Sequence, residues 1–344
     1  MRIGFATSGL WRLRTEIEQL TGATARRLWP LALGVDAIAG WGHKPTADRA
    51  RRLARLRGLP YLAFEDGLLR SVQPGDGEPP LSLVLDRSGI YYDARQPSDL
   101  EDLVRDRLAR PETWSQARNV ISRLRETRLS KYNDHPAGDL PDGQARNPSD
   151  LPRVLVIDQT AGDASITGAL ATQESFTRMF RAAVHENPDA EILLRIHPEA
   201  ITGRKKGHFD QQFLSDFASL DQDVARALET GRVKLDAAPR NPWSLLERCN
   251  KVYCVSSQLG FEAIMAQREV HSFGVSFYSG YGLTVDRTEG ASALVAKRRQ
   301  PVPLEALVAA LYFDYCHYFG RSPLRPITVF EAIDWLERKV AETR

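Results

Sequence analysis

Four stretches of this chain set reactive or anion-holding side chains directly beside apolar runs. The first is Asp158-Gln159-Thr160-Ala-Gly162-Asp163-Ala-Ser165, which follows Val154-Leu-Val-Ile157. The apolar run reads as a strand buried on both faces. A polar turn between such a strand and a helix is where open α/β sheets place their chemistry. Asp163 is then either a reactive carboxylate or the cap of the following helix. The second stretch is Glu65-Asp66-Gly67, read as lying just after a strand. Adjacent buried carboxylates resist joint ionisation, so one can act as acid or base; the alternative is a solvated Asp-Gly turn. Arg70 is near enough to pair with either carboxylate or with an anionic substrate. In the third, Arg195-Ile-His197-Pro198, two cationic groups at a strand end can neutralise a phosphate, or the histidine is simply hydrogen-bonded there. In the fourth, Ser256-Ser257-Gln258-Leu-Gly260-Phe-Glu262, hydroxyls and free N–H groups at a helix start offer an anion site. Glu262, read as lying in the first turn, can accept from ribose hydroxyls or merely complement the helix dipole. Tyr278, Tyr281 and Gly282 form a loop able to stack on a base or sugar, and Trp41, His43 and Lys44 end another strand.

These groups need strands and helices to hold them. Strands are expected at 2–6, 35–39, 60–64, 81–85 and 89–92, with helices at 13–20, 23–28, 47–56 and 113–128 and one capped by Ser98. After a stretch containing Pro136, Pro141, Pro148 and Pro152 the alternation restarts. The later strands are expected at 154–157, 191–196, 233–235, 252–255 and 270–273, and the chain closes with helices at 304–319 and 328–344. The fold class is α/β, with Rossmann-like domains at 1–135 and 153–300, a linker at 136–152 and C-terminal helices, 301–344, packing back across both.

A chain of 344 residues is long for one core, which supports two domains. A net charge of +2 does not call for a nucleic-acid partner. Cys249, Cys254 and Cys316 are odd in number and fit no metal spacing, so a reducing compartment and a cytoplasmic location are expected. No run nears the roughly 18 apolar residues that span a bilayer. Arg26, Arg27, Arg49, Arg51, Arg52 and Arg55 read as a solvated helix face, with peripheral contact at the inner membrane as the alternative. No Walker loop, Gly-rich dinucleotide fingerprint or nucleophile elbow occurs, and no metal or other cofactor is expected.

Taken together, Glu65-Asp66-Gly67, His197-Pro198 and Ser256-Ser257 resemble the signatures of bacterial glycosyltransferases that use CMP-activated acidic sugars. Trp41-Gly-His-Lys-Pro45, Phe64–Gly67, Pro79-Pro-Leu-Ser-Leu83, Gly89-Ile-Tyr-Tyr-Asp93, Leu129-Ser-Lys-Tyr-Asn133, Asp158-Gln-Thr160 and Ser256–Glu262 extend the likeness over nearly the whole chain. The pattern is similar to the N-terminal module of retaining β-Kdo transferases of capsule polysaccharide synthesis. The resemblance implies a GT-B-like fold, two Rossmann-like domains facing a central cleft, with CMP-Kdo as donor and a Kdo-bearing glycolipid or oligosaccharide as acceptor. It makes Asp163 the catalytic nucleophile, puts His197, Ser256 and Ser257 on the CMP side and Glu262 on the ribose. Glu65 and Asp66 fall on the acceptor side, one of them as base. Arg195 and Lys44 are the cations expected to offset the sugar carboxylate, and Gln159, Gln258 and Lys131 are further substrate-binding residues. The capsule enzymes it resembles carry two such modules and this chain has one, which leaves a lone enzyme and an excised module both open. Two rival readings stand beside this one: an inverting CMP-sialic-acid-type transferase with Asp66 as base, and a non-catalytic capsule assembly module.

Overall fold

A computed structural model describes residues 1–28, 34–75, 77–135, 151–197, 200, 203, 205–288, 290 and 292–343. Residues 136–150 of the expected linker, and Pro198, lie outside them. In chain order the strands are β1 Arg2–Phe5, β2 Thr24–Arg27, β3 Ala37–Trp41, β4 Tyr61–Asp66, β5 Ser82–Asp86, β6 Arg153–Ile157, β7 Glu191–Arg195, β8 Val233–Asp236, β9 Lys251–Cys254, β10 Glu269–Ser272, β11 Val285–Asp286, β12 Cys316–Arg321 and β13 Leu324–Ile327. The α-helices are α1 Ser8–Arg12, α2 Arg14–Thr21, α3 Asp48–Arg57, α4 Asp99–Leu108, α5 Trp114–Thr127, α6 Ala164–Gly168, α7 Gln173–His185, α8 Gln211–Leu220, α9 Gln222–Glu229, α10 Pro242–Leu246, α11 Gln258–Met265, α12 Ser292–Val295, α13 Leu304–Ala309 and α14 Val329–Thr343. No helix among the described residues is long and apolar enough to cross a membrane.

The chain divides into two compact units. Unit 1 is Met1–Asp134 with Glu305–Arg344, and unit 2 is His135–Leu304. Unit 1 is built on a seven-stranded mixed sheet in the order β13-β12-β5-β4-β3-β1-β2. Its strands β2, β1, β3 and β4 run parallel, while β5, β12 and β13 add antiparallel pairs. Alternate residues of the strands face opposite layers, as a period of two requires. Ile3, Phe5, Ala37, Ala39, Leu62 and Phe64 meet Leu10, Leu13 and Ile17 on one face. Ile38 meets Ala50 and Ala54 of α3 on the other.

Unit 2 holds a six-stranded, wholly parallel sheet in the order β11-β10-β9-β6-β7-β8. After β8 the chain returns to the other side of β6 to lay down β9. The strand order therefore reverses between β6 and β9, which is where open α/β sheets bind ligands. Helix α7 buries Phe176, Met179, Phe180, Ala183 and Val184, an i, i+3, i+4, i+7, i+8 stripe, against this sheet. Phe176, Met179, Phe180 and Val184 each contribute roughly 1.5–3 kcal/mol when fully buried, and Ala183 less.

Three expected elements differ. Residues 23–28 form strand β2, not a helix: Gly22 ends α2 in the left-handed region at φ 64°, and Thr24–Arg27 then pair in parallel with β1. Residues 89–92 are not a strand. The Asp86 carboxylate takes N–H bonds from Ser88 and Gly89 and hydroxyls from Ser98 and Tyr315, so the chain turns there instead of forming a ladder. The C-terminal segment 301–344 is not all helix either. Helix α13 passes through a π-helical turn, Ala310–Tyr315, into β12, which pairs antiparallel with β5, and residues 305–344 belong to unit 1.

Candidate functional site

In unit 2, polar residues gather where β6, β7 and β9 end. Asp158 directly follows β6 and is 1% exposed. Its Oδ1 accepts the N–H groups of Gln159 and His208, both at 2.9 Å, and its Oδ2 faces the His197 N–H at 3.5 Å. Burial pushes this carboxyl up to about 6, against those backbone bonds. A Cβ on Gly207 would sit 2.3 Å from Asp158 Oδ2, so only glycine lets that loop approach the carboxylate. Asp158 thus ties the β6 loop to the backbone of His197 and to the segment ahead of α8.

Gln159 makes the link across the sheet. Its Oε1 accepts the Ser256 N–H at 2.9 Å and its Nε2 donates to Ser256 Oγ at 3.1 Å. This buried bridge joins the carboxyl ends of β6 and β9, where the strand order reverses. Ser256 Oγ lies 3.5 Å from Ser165 Oγ in the first turn of α6. Asp163 caps that helix, its Oδ1 accepting the Ser165 N–H at 2.8 Å, and the residue is exposed. Capping and reactivity are compatible here, because Asp163 Oδ2 has no partner among the described residues. Ser257 caps α11 through the Leu259 N–H, as a serine before a helix does. Gln258 Nε2 donates to Glu262 Oε1 at 3.2 Å.

Three expectations change. Glu262 is not in the first turn of α11; it is the fifth residue of that helix and is 3% exposed. Arg195 holds no open charge at the strand end. Its guanidinium is buried in an ion pair with Asp236 at 2.8 Å and also donates to the Ala238 carbonyl. Tyr278 and Tyr281 are core residues, 0% and 2% exposed, with Tyr278 donating to the Ser257 carbonyl, so neither ring can stack on a ligand.

In unit 1, Glu65 and Asp66 are the last two residues of β4 and not a loop beyond it. Lys44 Nζ reaches Glu65 Oε1 at 2.8 Å and also sits 5.5 Å from the centre of the Trp41 ring. Glu65 Oε2 is buried with no hydrogen-bond partner among the described residues. Asp66 is spoken for by Arg70, whose Nε lies 2.9 Å away. Arg70 and Lys131 both approach the Tyr132 ring, and the Lys131 carbonyl accepts the N–H groups of Arg70 and Ser71. Glu65 therefore has one oxygen that is buried and unfilled, while Asp66 is bonded to Arg70 through Oδ2 and its side chain stays 19% exposed.

The structure brings Gln159, Asp163, His197, Ser256, Ser257 and Gln258 to one end of the unit 2 sheet, and Lys44, Glu65, Asp66 and Lys131 to the β4 end of unit 1. Asp158 and Ser165 stand in the first stretch without a role assigned to them, and nothing in the sequence singles out His208. Asp158 had a signal, since a carboxylate directly after four apolar residues must be buried or bonded. His208 stacks on Phe176 at 3.6 Å and burial lowers its pKa, but its distance in sequence from β6 hid it. Among the described residues His185, Asp221 and Asp223 have metal-ligand spacing. Asp221 there caps α9 and bonds Arg181 and His185, which accounts for the group without an ion.

A family described as "Capsule polysaccharide biosynthesis protein" matches residues 36–318. The "Capsule polysaccharide modification protein LipA" of Neisseria meningitidis serogroup A is 39% identical over 88% of this chain and 41% of its own length. The "Lipopolysaccharide-processing protein LpsZ" of Rhizobium meliloti is 34% identical over 82% of this chain and 59% of its own. The chain thus spans about two fifths to three fifths of the curated relatives it matches. The solved structure of "Thermosulfurimonas dismutans KpsC, beta Kdo 2,4 transferase" superposes with a TM-score of 0.83 at 36% identity, over 98% of both chains. That of the "beta Kdo 2,7 transferase" of the same organism shares the fold, with a TM-score of 0.67 at 23% identity over 98% of this chain and 99% of its own.

Proposed function

The chain belongs to the capsule polysaccharide biosynthesis family, and from that premise we propose that it is a retaining glycosyltransferase. It moves β-Kdo from CMP-β-Kdo, in the cytoplasm, to a Kdo-bearing glycan or glycolipid. The observation that carries the reading is the exposed Asp163 carboxylate, which adjoins the Gln159–Ser256 bridge at the reversal point of the parallel sheet. The solved β-Kdo transferase of like fold supports the sugar class.

Retention from a β-linked donor needs two inversions at the anomeric carbon. In the first, an Asp163 oxygen bonds to that carbon as its bond to the phosphate oxygen breaks, and the electron pair leaves with CMP. Ser256, Ser257 and His197, with the positive end of α11, are the groups assigned to stabilise the departing phosphate. In the second, the acceptor oxygen bonds to the same carbon from the face CMP left, and Asp163 is released as carboxylate. The acceptor proton goes to a base, for which Glu65 and Asp66 are the two candidates; Glu65 Oε2 has no hydrogen-bond partner among the described residues, and Asp66 is bonded to Arg70 through Oδ2. Lys44 beside it supplies positive charge near an acidic sugar.

Asp163→Ala removes a helix cap worth about 1 kcal/mol and leaves the fold intact. Incubated with CMP-Kdo and a Kdo-terminated acceptor, the variant gives no product by mass spectrometry. The unaltered protein, incubated with CMP-Kdo alone, gains the mass of one Kdo unit on the peptide that contains Asp163. Undiminished transfer by Asp163→Ala removes Asp163 from the nucleophile role.

A further inference from the structure

A cavity of about 500 Å³ opens in unit 1 on the face of the sheet covered by α3. Arg51, Arg52 and Arg55 line one side of it, and Arg87, which follows β5, lines another. Four guanidinium groups meet one carboxylate, Asp48, which lies 3.4 Å from Arg51 and is itself 67% exposed. The guanidinium groups of Arg52, Arg55 and Arg87 have no carboxylate partner among the described residues. Like charges one turn apart on a helix, as at 51 and 55, destabilise it by a few tenths of a kcal/mol. The arrangement is therefore not explained by the stability of α3.

The wall beside these arginines is fixed. His43 Nδ1 is bonded to Asp93 Oδ2 at 2.6 Å, and Asp93 is held in turn by Arg95 through Nε at 2.7 Å and Nη2 at 2.8 Å. Both side chains of the His43–Asp93 pair are buried. The Asp93 carboxylate is thus already consumed, and Asp99 is engaged by the Arg87 backbone N–H at 2.9 Å and the Ser88 hydroxyl at 2.6 Å. Tyr61 forms part of the floor, anchored by its hydroxyl to the Gly42 carbonyl at 2.8 Å.

We propose that this cavity binds a carboxylate-bearing sugar residue of the acceptor glycan. Its volume is in the range of sites for small organic ligands rather than for a macromolecule. Guanidinium forks match carboxylates two bonds at a time, which lysines cannot do. The cavity is concave, whereas an arginine cluster serving a lipid surface needs a flat or convex face. It also lies in the unit that carries Lys44 and Glu65, and His43 of its wall is the chain neighbour of Lys44. The assignment to the acceptor rests on the transferase reading, but the binding of an acidic sugar does not.

The test titrates the full chain with a β-linked Kdo disaccharide by calorimetry, beside the same disaccharide with its carboxyl groups reduced. The double variant Arg52→Glu/Arg55→Glu, on the exposed face of α3, weakens the disaccharide at least tenfold, and carboxyl reduction does the same to the unaltered protein. Release of CMP from CMP-Kdo into water, measured without acceptor, is unchanged in the variant, since unit 2 carries that step. Equal affinity of variant and unaltered protein for the disaccharide overturns the proposal. So does a pattern in which the variant loses binding only to phosphatidylglycerol vesicles, which marks a lipid-headgroup site instead. If the unaltered protein releases no CMP but binds the disaccharide through the arginines, the transferase reading fails and the sugar site stands.

Discussion

Asp158 carries a charge in a place that resists charge. Its carboxyl titrates near 6 in the folded chain because burial disfavours the anion, against 3.8 for the free side chain. Between those two values the unfolded chain gives up its proton while the folded chain keeps it. Stability therefore falls as pH rises through that window and levels off above about 6. A displacement of this size is worth on the order of 3 kcal/mol at most. Asp158→Asn removes the titration and keeps one oxygen to accept the Gln159 and His208 N–H groups. The expected result is that unaltered protein loses stability relative to Asp158→Asn between pH 4 and pH 7. Urea unfolding of both proteins at several pH values measures it, and a constant difference across the range would contradict the burial argument. The same residue bears on function. It grips the backbone of His197, so the variant tests whether the β6 and β7 loops need a charged anchor to hold the phosphate-side donors in place.

At the level of strands, Arg195 and Asp236 are paired partners in the β7–β8 register and form a buried bridge at the carboxyl end of both strands. Deleting one member of such a pair costs about 3–5 kcal/mol, because the other is left charged in a dry place. Arg240 also reaches Asp236, at 3.1 Å, which puts Arg195→Ala at the lower end of that range. Arg195→Met with Asp236→Leu replaces the pair by apolar volume and recovers most of the loss. Thermal unfolding reads both, and calorimetry with CMP finds donor affinity retained in the double variant. A large loss of CMP affinity there would return Arg195 to the phosphate. The sequence showed Arg195 at a strand end, but its counterion comes from the next strand, 41 residues on, and no local pattern announces it. Strand β6 was legible because four apolar residues in a row leave few other fates. Strand β12 was not, since Cys316-His-Tyr-Phe319 continues an apolar run and only pairing with Ser82, Leu83 and Val84 makes it extended. The polar clusters at the ends of β6 and β9 could be located from the chain alone. Which members face solvent and which are buried, Asp163 against Glu262, was decided by helix packing.

The two units do not draw on the chain in the same way. Every strand of the unit 2 sheet lies between Arg153 and Asp286, and its core comes from the same stretch. Unit 1 is completed only by residues from 305 onward. Strand β12 covers the edge of β5, Phe319 enters the core beside Leu83 and Leu85, and α14 packs on α5. Polar ties reinforce that return, among them Tyr315 to Asp86, Arg107 to Asp314, and Arg321 to Glu16. A fragment ending at 134 exposes the backbone of β5 along a hydrophobic strand, which invites pairing between chains. It is expected to aggregate or to unfold without a cooperative transition. A fragment of residues 151–304 keeps its whole sheet and is expected to fold alone. Trp243 is its single tryptophan and is buried, so its fluorescence reports the unfolding of that unit without interference. A sharp urea transition at Trp243 for 151–304, with no such transition by circular dichroism for 1–134, is the expected pair of results. Restoring 305–344 to the first fragment through a short Gly-Ser linker recovers cooperativity, because the missing edge and core residues return together. A fragment 1–134 that folds cooperatively by itself would mean that the β5 edge is stable unpaired, and the dependence of unit 1 on the distant end of the chain would have to be given up.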